Sequence, residues 1–225
     1  MPPAPHLVTA PERHLRISRT IEPLKHSFVG AIEASQARNG NRFDVPGGGV
    51  LYTATHESTC FDEVLARMRP SPWLQTLDWA EDERAGFPIG LPADWRDQRR
   101  IYTVRVSTDL PFVDIDHPDT WRWMENAAPG VLLEAHNDHV DREHVYSSNR
   151  RLTRAMSTAI YTSLDAENLP LFAGIRYESR LGQGECWAIF DGRPNTTLEQ
   201  ISAERIERSR PTLQTWAEQW KLTIH

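Results

Sequence analysis

The chain has 225 residues, 39% of them hydrophobic and 25% charged, with a net charge of −6. This composition suits one ordinary globular domain, excludes a disordered or low-complexity chain, and gives no general reason to expect nucleic-acid binding. No run approaches the roughly 20 apolar residues of a membrane span, and the start, MPPAPHLVTAPERH, lacks the basic and apolar regions of a secretory signal, so a cytoplasmic location without membrane attachment is expected. The two cysteines, Cys60 and Cys186, have no metal-ligand spacing and read as reduced thiols, although a bond between them stays open.

In chain order, residues 1–12 are rich in Pro and Ala and read as a loose tail. RHLRIS reads as a first strand and FVGAIEASQAR as weakly helical. NGNRFDVPGGG is a loop by its Gly, Asn, Asp and Pro content. VLYTAT, which holds Tyr52, is β-prone. ESTCFDEVLARMRP reads as a helix capped by Ser58 or Thr59 and stopped by Pro70, with Phe61, Val64, Leu65 and Met68 as its buried stripe and Glu63 on the stripe's edge.

Residues 70–147 are read as containing an irregular insertion, centred on 70–99, with Pro70, Pro72, Pro88 and Pro92 among Trp73, Trp79 and Trp95; the tryptophans, with Trp121 and Trp123, are expected to be packing residues. IYTVRVST and PFVDID read as strands, and 117–147 as helical pieces with polar loop. NRRLTRAMSTAIYTSL is the clearest later helix, with Leu152, Ala155, Met156, Ala159, Ile160 and Leu164 at helical spacing. GIRYESR and ECWAIFD read as strands joined by the turn LGQG. TTLEQISAERIER reads as a helix with Thr196 or Thr197 as cap, and PTLQTWAEQWKLTIH as a short helix followed by a strand. The irregular mixture of strands and helices points to a single α+β domain over residues 13–225.

The polar constellation in the first third is Arg42 in the Gly-rich loop, Tyr52 in the next strand and Glu63 in the next helix. A loop, a strand and a helix in that order can turn one cleft toward all three. The run NRFDVPGGGVLYTATHESTCFDEVLA resembles the first half of RES domains, whose pattern is an Arg followed by an aromatic residue, a Gly-containing loop, a Tyr with small residues, and a helix with an inward Glu. Arg42–Phe43, Tyr52–Thr53–Ala54 and Glu63 match it in order. AGIRYESRLGQGECWAIFD resembles the family's late strand, with Ser179 as the matching Ser, and the preceding helix with Thr153 and Ala159 fits the usual order. The resemblance spans roughly residues 14 to 192. The chain departs from the pattern in the long 70–147 region and at Asn41, where many members have Gly.

The resemblance implies an ADP-ribosyltransferase-like fold. It also implies an enzyme that consumes NAD as a substrate, with water or phosphate as acceptor, as the toxin paired with an Xre-like antitoxin. A protein ADP-ribosyltransferase and a silent NAD-binding module are the alternatives on the same fold. In that reading Glu63 stabilises the ribose cation, Tyr52 stacks on nicotinamide, Arg42 holds the pyrophosphate with help from Arg180, and Ser179 bonds the carboxamide or a ribose hydroxyl. No metal is expected. His136, His139 and His144 in HNDHVDREH, and DIDH at 114–117, fit no strong ligand pattern and read as polar loop and strand end. GQGE after Arg180 lacks the residues of a phosphate loop. Cys60 reads as a buried thiol rather than a nucleophile. RDQRR at 96–100 reads as a solvated basic face.

Overall fold

The computed structural model describes residues 3–71 and 90–225. Its centre is a nine-stranded sheet in the order β1-β7-β8-β9-β4-β2-β6-β10, with β3 also paired to β4. The strands are β1 (Leu7–Val8), β2 (Arg13–Arg19), β3 (Ser27–Phe28), β4 (Gly49–Ala54), β6 (Arg99–Ser107), β7 (Phe112–Asp114), β8 (Gly174–Glu178), β9 (Glu185–Phe190) and β10 (Thr197–Arg205). β5 (Gly90–Leu91) and β11 (Thr223–Ile224) form a separate parallel pair. All ladders of the large sheet are antiparallel except β7–β8.

β4 and β9 are central and buried on both faces, which explains their near-continuous apolar runs. Their side chains alternate between two cores with the two-residue period of a strand. Val50, Ala54, Cys186, Ala188 and Phe190 belong to the larger core. Leu51, Trp187 and Ile189 point into the smaller one on the other face. Tyr52 shares the face of Val50 and Ala54 and packs against the larger core. Along its other edge β4 is split: it pairs with β3 at Gly49 and Val50 and with β2 only at Ala54. The free carbonyl of Tyr52 between these pairings accepts a hydrogen bond from Arg16 Nη1 (2.6 Å).

The helices are α1 (Ala31–Ala34), α2 (Glu57–Leu65), α3 (Ala93–Asp97), α4 (Pro118–Ala127), α5 (Pro129–Ala135), α6 (Arg142–Val145), α7 (Arg150–Tyr161) and α8 (Pro211–Gln219). α7 buries Leu152, Met156 and Ile160, one residue per turn, in the larger core. Beside that stripe runs a buried polar one, Thr153, Arg154 and Ser157. Arg154 spends its guanidinium on the carbonyls of Glu33, Ala34, Gln36 and Asn39, and Ser157 donates to the Asp44 carbonyl (3.0 Å). α7 therefore fixes the backbone that leads into the Arg42 loop.

Several expectations are corrected. TTLEQISAERIER is not a helix: its first part is β10, because eight residues pair with the free edge of β6, and that long-range ladder overrides the local preference. Residues 1–12 are not all loose, since Leu7–Val8 pairs with β7 and the His6 amide donates to Thr120 Oγ1 (3.0 Å). IYTVRVST and PFVDID form strands β6 and β7 of the main sheet as expected, and the insertion read around 70–99 falls largely outside the described residues, with Pro72, Trp73, Trp79 and Pro88. α2 starts after His56 with no side-chain cap, and Val64 is exposed while Phe61 and Leu65 are fully buried. Leu164 lies beyond α7 and is exposed. Trp95, Trp121 and Trp123, as expected, pack in or against the larger core. RDQRR is not merely solvated: Arg96 donates to the carbonyls of Ile206 and His225, and Arg99 lies over the Trp95 ring.

His14 on β2 is completely buried, contacts Thr53 Oγ1 through Nδ1 (2.9 Å), and meets the Trp187 ring edge-on. Burial pushes its imidazole down to about 4, against a backbone hydrogen bond at Pro11 that acts in the opposite direction. The unfolded chain then takes up a proton near pH 6.5 that the folded chain refuses until about pH 4. Its contribution to stability is complete above pH 6.5 and declines as the pH falls toward 4. Urea unfolding measured from pH 7.5 to 5 should show this decline, and His14→Gln should flatten it; superimposable pH curves for the two proteins would refute the assignment.

Candidate active site

Three segments meet on the face of the sheet that carries Tyr52: the 39–48 loop, α2, and the turn between β8 and β9. The turn is tied at three points to α2 and the segment that follows it. Ser179 Oγ donates to Glu63 Oε1 (2.7 Å), Thr59 Oγ1 donates to the Gln183 carbonyl (2.7 Å), and Arg69 Nη2 donates to the Leu181 carbonyl (2.7 Å). Ser179 Oγ also accepts from the Leu181 amide (3.1 Å), which fixes its rotamer. Gly184 makes the close approach possible. Its φ is +121°, and a Cβ there would run into Thr59 Oγ1.

The loop is organised by Asp44, which is 3% exposed. Its carboxylate accepts from the Asn41 amide (2.7 Å), Ser27 Oγ (2.9 Å) and Tyr52 Oη (2.9 Å). Burial and the neighbouring Asp44 charge hold the Tyr52 phenol well above its usual range. The hydroxyl is a donor committed to Asp44.

Arg42 is 7% exposed, and its Nε and Nη1 are buried with no hydrogen-bond partner among the described residues. It sits instead among three rings, 5.6 Å from the Phe43 centroid, 5.3 Å from Tyr146 and 5.5 Å from Tyr177. Glu63, Tyr52 and Arg42 all act electrostatically on the buried Tyr177 phenol, which burial first of all holds well above its usual range. Arg180 lies on the exposed side of the turn; desolvation and the nearby Arg42 charge lower its guanidinium, and Glu63 opposes that shift. The structure thus brings together all five residues singled out in the sequence: Arg42, Tyr52, Glu63, Ser179 and Arg180.

It adds others that the motif reading passed over. Asp44 lies inside the quoted run, but only the fold reveals that it anchors both Tyr52 and the loop. Tyr146 and Tyr177 enclose Arg42, and Arg150 acts on its charge from the start of α7. Arg150 precedes Arg154 by one helical turn, which places it at the start of the buried polar stripe of α7.

The weaker motifs find structural uses. Asp141 caps α6 by accepting from the His144 amide (3.0 Å), and His117 caps α4 through the Asp119 amide. Asp114 and Asp116 face Arg176. Among the described residues no group of three His, Cys, Asp or Glu is arranged to hold a metal ion, and no helix is long and apolar enough to cross a membrane. Cys60 and Cys186 are both free and buried, and burial pushes the Cys60 thiol up to about 12, far from a reactive thiolate.

A family model described as the RES domain matches residues 13–211. The chain belongs to the RES-domain family. The two blocks of sequence that carry the resemblance, Arg42–Glu63 and Gly174–Arg180, supply the five residues brought together here. No curated protein matches this RES domain. Among solved structures, it is similar to a chain of the M. tuberculosis MbcT–MbcA toxin–antitoxin complex, with a TM-score of 0.53 over 96% of this chain and 92% of that one. Sequence identity is 13%, so this likeness establishes the fold alone.

The tie between Ser179 and Glu63 gives a direct test of how the cleft is built. Ser179→Ala leaves a carboxylate oxygen without its donor and the Leu181 amide without its acceptor. Urea denaturation should register a loss of about 1–3 kcal/mol, the size expected for a hydrogen bond to a charged group. A variant as stable as the parent would show that the turn is held without this bond.

Proposed function

We propose that this RES domain cleaves the bond between nicotinamide and ribose in NAD, as a toxin acting in the cytoplasm and restrained by an antitoxin of the Xre-like kind. The observation that carries the reading is the pairing of Glu63 with Ser179 beside the buried Arg42 guanidinium, whose Nε and Nη1 have no hydrogen-bond partner among the described residues. A dinucleotide needs both halves of this arrangement: a cation for the diphosphate and a carboxylate for the ribose that develops positive charge.

In the proposed reaction the C1′–N bond breaks and its electron pair leaves with nicotinamide, which becomes neutral. The ribose becomes cation-like at C1′, as in glycoside hydrolysis. Glu63 Oε2 faces that charge or a ribose hydroxyl, while Oε1 stays with Ser179, which holds the carboxylate in one orientation. The Tyr52 ring, its hydroxyl fixed by Asp44, offers a flat surface to nicotinamide. A water or phosphate oxygen completes the bond to C1′; a water releases its proton to Glu63 or solvent. The toxin–antitoxin assignment is supported by family membership and by the fold shared with a chain of the MbcT–MbcA complex.

Purified protein mixed with NAD, with and without inorganic phosphate, should release free nicotinamide. Glu63→Ala should lose at least about a hundredfold in rate, in line with removal of one electrostatic group from a site of this kind, while remaining folded by circular dichroism. Release that depends on phosphate identifies a phosphorylase, and phosphate-independent release a glycohydrolase. Label from NAD appearing on a protein target, with slow release in its absence, would replace this reading with protein ADP-ribosylation. NAD binding without any turnover would reduce the domain to a binding module.

A further inference from the structure

Arg150 is the first residue of α7. Its backbone amide donates to the Ala37 carbonyl (2.7 Å), yet its side-chain Nη1 is buried with no hydrogen-bond partner among the described residues. The charges that act on it are mostly of its own sign. Desolvation first, and then repulsion by Arg180 and Arg42, lower its guanidinium, against a smaller opposing effect from Tyr52. Arg154, one turn on, is occupied by backbone carbonyls. Three guanidiniums from three separate elements thus lie within electrostatic reach of one another: Arg42 from the loop, Arg150 from α7 and Arg180 from the turn. None of the three takes part in an ion pair or side-chain hydrogen bond among the described residues, and Glu63 is the carboxylate whose charge reaches Arg180.

Holding like charges together in a partly desolvated cleft raises the free energy of the empty site. The arrangement is relieved by a ligand that brings several acceptor oxygens and more than one negative charge, and a phosphate group has both. The positive end of the α7 dipole, where Arg150 sits, adds to the same potential.

We propose that Arg150 is a binding residue, the third guanidinium of a phosphate-group subsite shared with Arg42 and Arg180. The proposal rests on reading this cleft as the NAD site, and it locates there the part that receives a diphosphate. A free phosphate ion has the same chemistry and fits the same donors.

Calorimetric titration of the full chain with inorganic pyrophosphate, and separately with inorganic orthophosphate, tests this without any need for turnover. Arg150→Ala should weaken pyrophosphate binding at least about tenfold, the loss expected for one charge-assisted contact. Arg150→Lys should recover part of that affinity. Arg151→Ala, which removes an exposed arginine paired with Glu134, should leave it unchanged. A similar loss for both probes assigns the subsite to any single phosphate group, free phosphate included. A loss for pyrophosphate alone assigns it to the diphosphate. Thermal unfolding establishes that each variant is folded, and Arg180→Ala, at an exposed position, tests the same subsite should Arg150→Ala fail to fold. Unchanged affinity for both probes in folded Arg150→Ala, or no binding of either probe by the parent protein, would overturn the proposal. Since no arm measures nicotinamide release, a protein that binds pyrophosphate through Arg150 but does not cleave NAD separates the failure of the enzymatic reading from the failure of this one.

Discussion

Arg42 carries a full positive charge at 7% exposure, with two of its three guanidinium nitrogens lacking any hydrogen-bond partner among the described residues. A buried charge is tolerated only where the surroundings compensate it. Here the compensation is the ring faces of Phe43, Tyr146 and Tyr177, and the side chain is carried by a hydrogen-bonded loop. That loop is rigid because Asp44, next but one in sequence, is saturated with donors from Asn41, Ser27 and Tyr52. Arg154 and Ser157 brace it from α7. Much of the polar hydrogen bonding on this side of the sheet thus serves to hold one cation in place with its donors unspent.

The opposite wall follows the same economy. Glu63 is one turn along α2 from Thr59, and both reach the β8–β9 turn, one through Ser179 and the other through the Gln183 carbonyl. Helical spacing on α2 and the positive φ of Gly184 bring the carboxylate to the turn at a fixed orientation. A site whose donors and carboxylate are locked before the ligand arrives loses little reorganisation energy on binding, which is the condition for strong electrostatic stabilisation.

Much of this was legible in the sequence because the cleft is built from two short blocks with local signals. The Gly-rich loop, the β-prone VLYTAT and the helix with Glu63 announce themselves by composition and period, and the resemblance linked them to GIRYES and Ser179. What was not legible depends on distant pairing. β10 carries mostly exposed polar residues with capping-like threonines, and only the open edge of β6 makes it a strand. Leu7–Val8 looked like tail because two residues hold no period, and β7 alone orders them. Arg150 and Asp44 were hidden for a similar reason: a polar residue at a helix start or in a loop is usually solvated, and its burial against other charges is a property of the assembled fold.

In the proposed function one site divides a dinucleotide between a carboxylate wall and a cationic wall. A crystal structure of the Glu63→Gln variant with NAD tests it most directly, since the substitution removes the charge and preserves the shape. The expected complex has the nicotinamide ribose against residue 63 and Ser179, with the diphosphate against the Arg42 guanidinium. NAD bound outside this cleft, or bound with its adenosine end at residue 63 and its diphosphate away from Arg42, would contradict it.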